Sequence, residues 1–178
     1  MIRLLRSLRA RLAAEDANAT IEFVFLFPLF IGIFSSSFEA AMLTSRQVLL
    51  ERATDMVVRE LRLGIGETPT HDELKTRICE YAGVIPDCDQ SLNIELEIVS
   101  TETFAIRTGA VQCVDREQDI TPALSFTPGL KNELMLVTVC AVFQTMNPVS
   151  GLGLRLPKLG GNGYYGIVAT SAFVNEPS

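Results

Sequence analysis

The sequence has a single histidine, His71, and few of the residue combinations on which active sites depend. A Ser-His-Asp triad would have to use His71 as its base, and this residue lies where a helix is predicted to begin. The four cysteines are spaced 9, 25 and 27 residues apart, unlike the close Cys or His pairs that bind zinc. We expect no catalytic residue, no metal, no cofactor and no small-molecule substrate. A membrane-anchored hydrolase that depends on His71 is retained only as a third hypothesis.

Basic residues are also scarce beyond the first 17 residues. After Ala17 the chain has 11 basic and 19 acidic residues, a net charge of −8, and no basic cluster. This balance excludes an ordinary nucleic-acid-binding surface, so no nucleic-acid partner is expected. The chain of 178 residues has no second long apolar run, which leaves room for one membrane segment and one modest domain.

An apolar run follows a short basic head. Four arginines precede residues 23–34, which are apolar and uncharged: Arg3, Arg6, Arg9 and Arg11. This order is typical of a membrane-targeting element, either an anchor or a cleaved secretory signal. Residues 23–38 carry no charge and would form a helix about 24 Å long, which spans a bilayer if Glu39 reaches the headgroups. Glu22 lies at the start of the run, and we hypothesise that it has a functional role because a carboxylate is costly in hydrocarbon.

The helical pattern continues past the apolar run. Leu50, Ala53, Val57 and Leu61 recur at helical spacing, and no Pro or Gly interrupts residues 34–63. The other face is predicted to carry the charged residues Arg46, Glu51, Arg52, Asp55, Arg59 and Arg62. We therefore predict one long helix, half in lipid and half packed on a domain, with a kink or a freed carbonyl at Pro28.

The arginines predict the orientation of the chain, because basic residues stay on the cytoplasmic side. We predict a cytoplasmic leader at residues 1–17, a transmembrane helix at 18–43 and an extracytoplasmic domain at 44–178. An oxidising compartment would allow the four cysteines to pair. Three connectivities are possible. We favour Cys79 with Cys88, which closes a small loop, and Cys113 with Cys140, which joins two strands.

The domain is predicted to be α+β, with a short second helix and a small antiparallel sheet of about four strands. Thr70 and Glu73 form a capping-box pattern, and Gly83 ends the helix that follows. In that helix Leu74, Ile78 and Tyr81 are predicted to face inward. The predicted strands start at Leu92, where Asn93, Glu95 and Glu97 would face solvent, and include a weaker segment at residues 104–114, the apolar run 134–143 and residues 164–174. Glycine-rich and proline-containing loops separate the last strands.

The N-terminal third resembles the TadE-like (TadE/TadF) pseudopilin family of the tight adherence, or Flp pilus, assembly system. The resemblance rests on the heptapeptide at residues 17–23, the apolar run containing Pro28, Phe38 and Glu39, and the long amphipathic helix. It covers roughly residues 11–64, and the family's C-terminal domain is variable. The sequence does not distinguish the TadE-like from the TadF-like subgroup.

The resemblance implies a minor pilin-like component of pilus assembly, anchored as a single-pass protein in the bacterial inner membrane with a periplasmic domain. The implied partners are a prepilin peptidase, other Tad subunits and the lipid bilayer. The family's cleavage site falls between Ala17 and Asn18, with Ala17 in place of the usual Gly. After cleavage Glu22, followed by Phe23, would pair with the new amine of a neighbouring subunit. A signal-anchored periplasmic binding domain, with Glu22 merely interfacial, is the alternative.

Overall fold

A computed structural model describes residues 15–63, 69–106, 111–116, 126–145, 156 and 164–176. Within these residues three helices precede or flank a three-stranded sheet. The helices are α1 (Glu15–Arg62), α2 (His71–Ala82) and the one-turn α3 (Cys88–Ser91). The strands are β1 (Leu92–Val99), β2 (Leu134–Gln144) and β3 (Tyr164–Val174). The predicted α+β class is confirmed.

Helix α1 is continuous over 48 residues and would measure about 72 Å. It passes through Pro28, whose ring cannot donate to the carbonyl of Val24. The predicted union of an apolar and an amphipathic half in one helix is confirmed. The arginine-rich head at residues 1–11 lies outside the described residues.

The sheet is antiparallel in the order β1-β2-β3, with the most apolar strand in the centre. Strand β2 pairs with β3 along its whole length and with β1 from Leu134 to Ala141, so that Ile94 lies opposite Val139, which lies opposite Ala169. A strand that is buried on both faces reads as a continuous apolar run, which explains why residues 134–143 were recognisable in the sequence.

The core lies between one face of the sheet and the two longer helices. Leu50, Ala53 and Val57 of α1 and Leu74 and Ile78 of α2 are buried there. The sheet supplies its alternate residues to the same core: Leu92, Ile94, Leu96, Met135, Val137, Val139, Ala141, Phe143, Tyr165, Ile167, Ala169 and Phe173. Alternation along each strand therefore sets which face receives the helices.

Side chains of α1 contact β3 and the segment that follows it at three levels. The Gln47 amide donates to the Val168 carbonyl at 3.0 Å, and the Ser171 hydroxyl donates to Asp55 at 3.3 Å. Near the end of the helix, Arg62 and Glu176 form an ion pair at 2.8 Å. The second half of α1 is thus an integral part of the domain rather than a linker to it.

Helix α2 has the predicted ends. The Glu73 backbone N–H donates to the Thr70 hydroxyl, and the Thr70 backbone N–H donates to the Glu73 carboxylate. Gly83 closes the helix in the left-handed conformation, at φ 58°, where a side chain would be strained. The expectation that Tyr81 faces inward is wrong: Tyr81 is exposed, and its hydroxyl donates to Glu60 of α1 at 2.8 Å.

The predicted fourth strand is absent from the described residues. Residues 104–106 and 111–114 are not in a strand, and Phe104 has a positive φ of 48° that interrupts extended pairing. The edge of β1 instead meets a second segment, where Thr127 N–H donates to the Leu96 carbonyl. The sheet therefore has three strands where about four were expected.

The solvent face predicted for β1 is partly wrong. Asn93 is buried and its amide donates to the Gln112 carbonyl at 2.6 Å, while Glu95 and Glu97 are half-buried. The Cys113–Cys140 disulfide holds the segment that contains Gln112 against this face. The segment around Gln112 therefore covers the face of β1 that the alternation of polar residues had predicted to be exposed to solvent. The predicted turn at residues 64–68 and most of the glycine-rich stretch lie outside the described residues.

Candidate functional site: the free half of the long helix

The first half of α1 has no contact with the domain that would bury it. The side chains of residues 20–34 are all exposed, Ser35 and Ser36 are half-buried, and Phe38 is exposed again. Residues 20–38 amount to about 28 Å of helix, close to the roughly 30 Å of a bilayer's hydrocarbon core. Within the described chain, one helix is long and apolar enough to cross a membrane, and it is this one. The free half of α1, defined here as residues 20–38, is compatible with a single-pass membrane anchor.

The hydroxyl groups near the end of this half donate to its own backbone. Ser36 donates to the Gly32 carbonyl and Ser37 donates to the Ile33 carbonyl, each at 2.9 Å. Such bonds satisfy a hydroxyl group without water, which is the condition for placing it in or beside hydrocarbon. The run of three serines therefore does not end the membrane-compatible surface.

The two carboxylates of the apolar region have opposite environments. Glu22 lies on the free half and is exposed, whereas Glu39 is only 2% exposed because the domain covers it. The two positions lie about 100° apart around the helix. That Glu39 lies at the level of the headgroups stays a prediction, and its side chain is turned toward the domain. Of the two carboxylates, Glu22 is the one accessible to another molecule.

The remaining residues of the predicted assembly signal lie at the start of α1. Ala17 and Asn18 belong to the first turns of the helix, one turn before Glu22. Phe23 follows it and stacks on Phe27 with ring centroids 5.0 Å apart. The predicted signal is thus part of the same continuous helix as the anchor.

The end of the free half carries a cluster that was not identified from the sequence. Arg46 was predicted to lie on the outer face of α1, but it points into the domain, with its guanidinium 4.6 Å from the centre of the Phe143 ring. Phe143 in turn meets Tyr165 edge to face at 4.5 Å. A detectable signal was present: Glu39, Arg46, Ala53 and Val57 share one helical face.

The cysteines are joined as favoured from the sequence. Cys79 pairs with Cys88, linking α2 to α3, and Cys113 pairs with Cys140 of β2. The first bridge closes a 9-residue separation and the second a 27-residue one. Each bridge therefore ties together two segments of the domain.

His71 is half-buried rather than an exposed first-turn residue. Its ring lies against Phe126 with the ring centres 5.5 Å apart, and its Nδ1 is 3.3 Å from Asp72. Among the described side chains, no group of three His, Cys, Asp or Glu residues could hold a metal ion. The position of His71 is that of a packing residue at a helix start.

Comparison with known proteins gave no family model, no curated protein and no solved structure that matches this chain. The fold and the free half of α1 are therefore the observations on which a function can be based.

Proposed function

We propose that this protein is a minor pilin-like subunit, of the TadE-like kind, that acts in assembly of an Flp-type tight adherence pilus. Its N-terminus would be cytoplasmic, and its disulfide-braced domain would be periplasmic. The observation that supports the proposal most is the exposure of Glu22 on a free apolar helix, while Glu39 is enclosed by the domain. Glu39 is covered by its own molecule, whereas Glu22 is exposed and is available to a neighbouring subunit.

The proposed mechanism is structural. A prepilin peptidase would cut between Ala17 and Asn18, which creates a free amine on Asn18 and makes Glu22 the fifth residue of the mature chain. The Glu22 carboxylate would then pair with the new amine of a neighbouring subunit. Pairing within the membrane removes two isolated charges from hydrocarbon, which is far less costly than leaving either one alone. The pair would also set the axial register of the two helices.

Replacement of Glu22 tests this role. Glu22→Gln keeps the size of the side chain and removes its charge, so we expect normal membrane insertion, an unchanged thermal midpoint and at least a tenfold loss of surface pili. Glu51→Gln, an exposed carboxylate on the other half of α1, is the matched control and should leave piliation unchanged. Full piliation by Glu22→Gln would refute the proposed pairing.

Cleavage distinguishes this proposal from a plain signal anchor with a periplasmic binding domain. Intact mass and N-terminal sequencing of the purified membrane protein should find Asn18 as the first residue. Ala17→Gly should increase the processed fraction, because it removes the methyl group that crowds a glycine-fitted subsite. An unprocessed Met1 in both proteins would instead support the plain anchor.

A further inference from the structure

Only two charged residues occur between Glu22 and Glu51, and both face the domain. They are Glu39 and Arg46, which lie two turns apart on one face of α1. The opposite face is consequently uncharged over residues 23–50, about 42 Å of helix. This length exceeds the hydrocarbon core of a bilayer, so the uncharged surface continues past the level at which the domain begins.

Arg46 lies beside a pair of aromatic residues at the end of the sheet, and Glu39 is buried on the same face of α1. Arg46 lies over the Phe143 ring, and its Nε atom is buried with no hydrogen-bond partner among the described residues. Phe143 contacts Tyr165, which is only 5% exposed. A guanidinium over an aromatic face is attracted by the ring, and more strongly where water is excluded. The cation is thus held to the end of the sheet by its surroundings.

The electrostatics of Tyr165 connect the three polar side chains. Burial raises the pKa of the Tyr165 phenol, and the negative charge of Glu39 raises it further. Arg46 opposes this rise through its positive charge and a hydrogen bond to the phenol. Among the described residues these are the charged groups that act on Tyr165, so Glu39 and Arg46 both lie within its electrostatic range.

From this arrangement we propose that Glu39, Arg46 and Tyr165 form a polar lock that fixes which face of α1 is turned toward the sheet where the free half of the helix ends. The lock turns both charges inward, so that the outward face of α1 stays uncharged where it leaves the bilayer. That face can then contact lipid or a neighbouring apolar helix without desolvating a charge. The lock would act in any membrane-anchored use of this chain and does not depend on a pilus.

The lock predicts opposite effects of its two charges on one phenol. Because the chain has no tryptophan, tyrosine ionisation can be followed by ultraviolet absorbance in detergent-solubilised full-length protein, and Tyr165→Phe identifies the transition of Tyr165. Glu39→Gln should lower the apparent pKa of Tyr165, and Arg46→Gln should raise it. Glu51→Gln is the control and should leave it unchanged. The same apparent pKa of Tyr165 in the unmodified protein, Glu39→Gln, Arg46→Gln and Glu51→Gln would overturn the lock.

A second readout follows the position of the guanidinium. Phenylglyoxal modification, quantified by peptide mass spectrometry, compares Arg46 with the exposed Arg52 in the same molecule. We expect the Arg46 to Arg52 modification ratio to rise at least tenfold in Glu39→Gln and to stay constant in Glu51→Gln. A constant ratio in Glu39→Gln contradicts a lock that includes this carboxylate.

A variant that fails to fold still decides the question. The lock implies that Glu39 and Arg46 compensate each other's charge, and removing one member of such a pair is more costly than neutralising both. The double variant Glu39→Gln with Arg46→Gln should therefore recover the folded fraction that either single variant loses. Failure of the double variant to recover it would refute the pairing. Because none of these readouts is piliation, their failure is distinct from a failure of the Glu22 proposal.

Discussion

Truncation of Leu50 tests whether the second half of α1 belongs to the domain core. Leu50 is 0% exposed and lies at the centre of the helix–sheet contact. Leu50→Ala removes three buried carbon groups, worth about 2.4 kcal/mol at roughly 0.8 kcal/mol each. The cavity adds to this loss unless α1 moves to fill it. Hydrogen bonds from Gln47 to Val168 and from Ser171 to Asp55 restrain such movement on either side of the cavity.

The combined loss is therefore expected to be about 3.5 kcal/mol, within the range measured for buried leucines. For a domain of roughly 140 residues, each kcal/mol lowers the midpoint of thermal unfolding by about 3–4 °C, which gives a decrease of about 12 °C. Near-ultraviolet circular dichroism of the solubilised full chain is the suitable assay, because the micelle-protected half of α1 dominates the far-ultraviolet signal.

Truncations of Val48 and of Leu29 on the same helix serve as controls. Val48 lies two residues before Leu50 on the outer face of the helix and is 54% exposed, and Leu29 lies on the free half. Val48→Ala and Leu29→Ala should each change the midpoint by no more than about 2 °C, as exposed substitutions do. A decrease for Leu50→Ala no larger than that for Val48→Ala would refute the packing of α1 into the core.

Three further predictions concern the disulfides and the helix cap of the domain. Replacing Cys113 and Cys140 by serine opens a 27-residue separation, for which loop-closure entropy predicts a loss of about 3.5 kcal/mol in non-reducing chemical denaturation; a loss below about 1 kcal/mol would contradict this reasoning. Thr70→Ala should cost about 1 kcal/mol, since it removes the hydroxyl that caps α2. Hydrogen bonds from the Thr70 backbone and hydroxyl lower the pKa of Glu73. Its contribution to stability is therefore complete above its ordinary pKa of 4.5 and is lost as the pH falls through the lower folded value. Glu73→Gln should flatten this acid dependence, and a curve identical to that of the unmodified protein would contradict it.

Local patterns in the sequence were sufficient for most of the elements. The capping residues Thr70 and Glu73 fix the start of α2 through bonds within three residues of one another. Strand β3 has the predicted bounds, and apolar residues make up most of its length. The failure at residues 104–114 has the opposite cause. Whether a weak strand pattern pairs depends on an available edge, and the edge of β1 receives Phe126 and Thr127 instead.

The sequence alone determined the long helix, its apolar first half and the isolated acid Glu22, since each follows from composition and helical period within a few turns. The tertiary structure alone decided which charges that helix shows to its surroundings. Glu39 is buried and Arg46 is half-buried because the domain packs on this face of α1, where the pairing of β2 with β3 brings in Phe143 and Tyr165 from at least 97 residues away in the chain. The burial of a residue depends on which distant segments pack on it, and a local sequence pattern does not identify those segments. That enclosure leaves Glu22 as the acid on the free half of the helix that another molecule can reach.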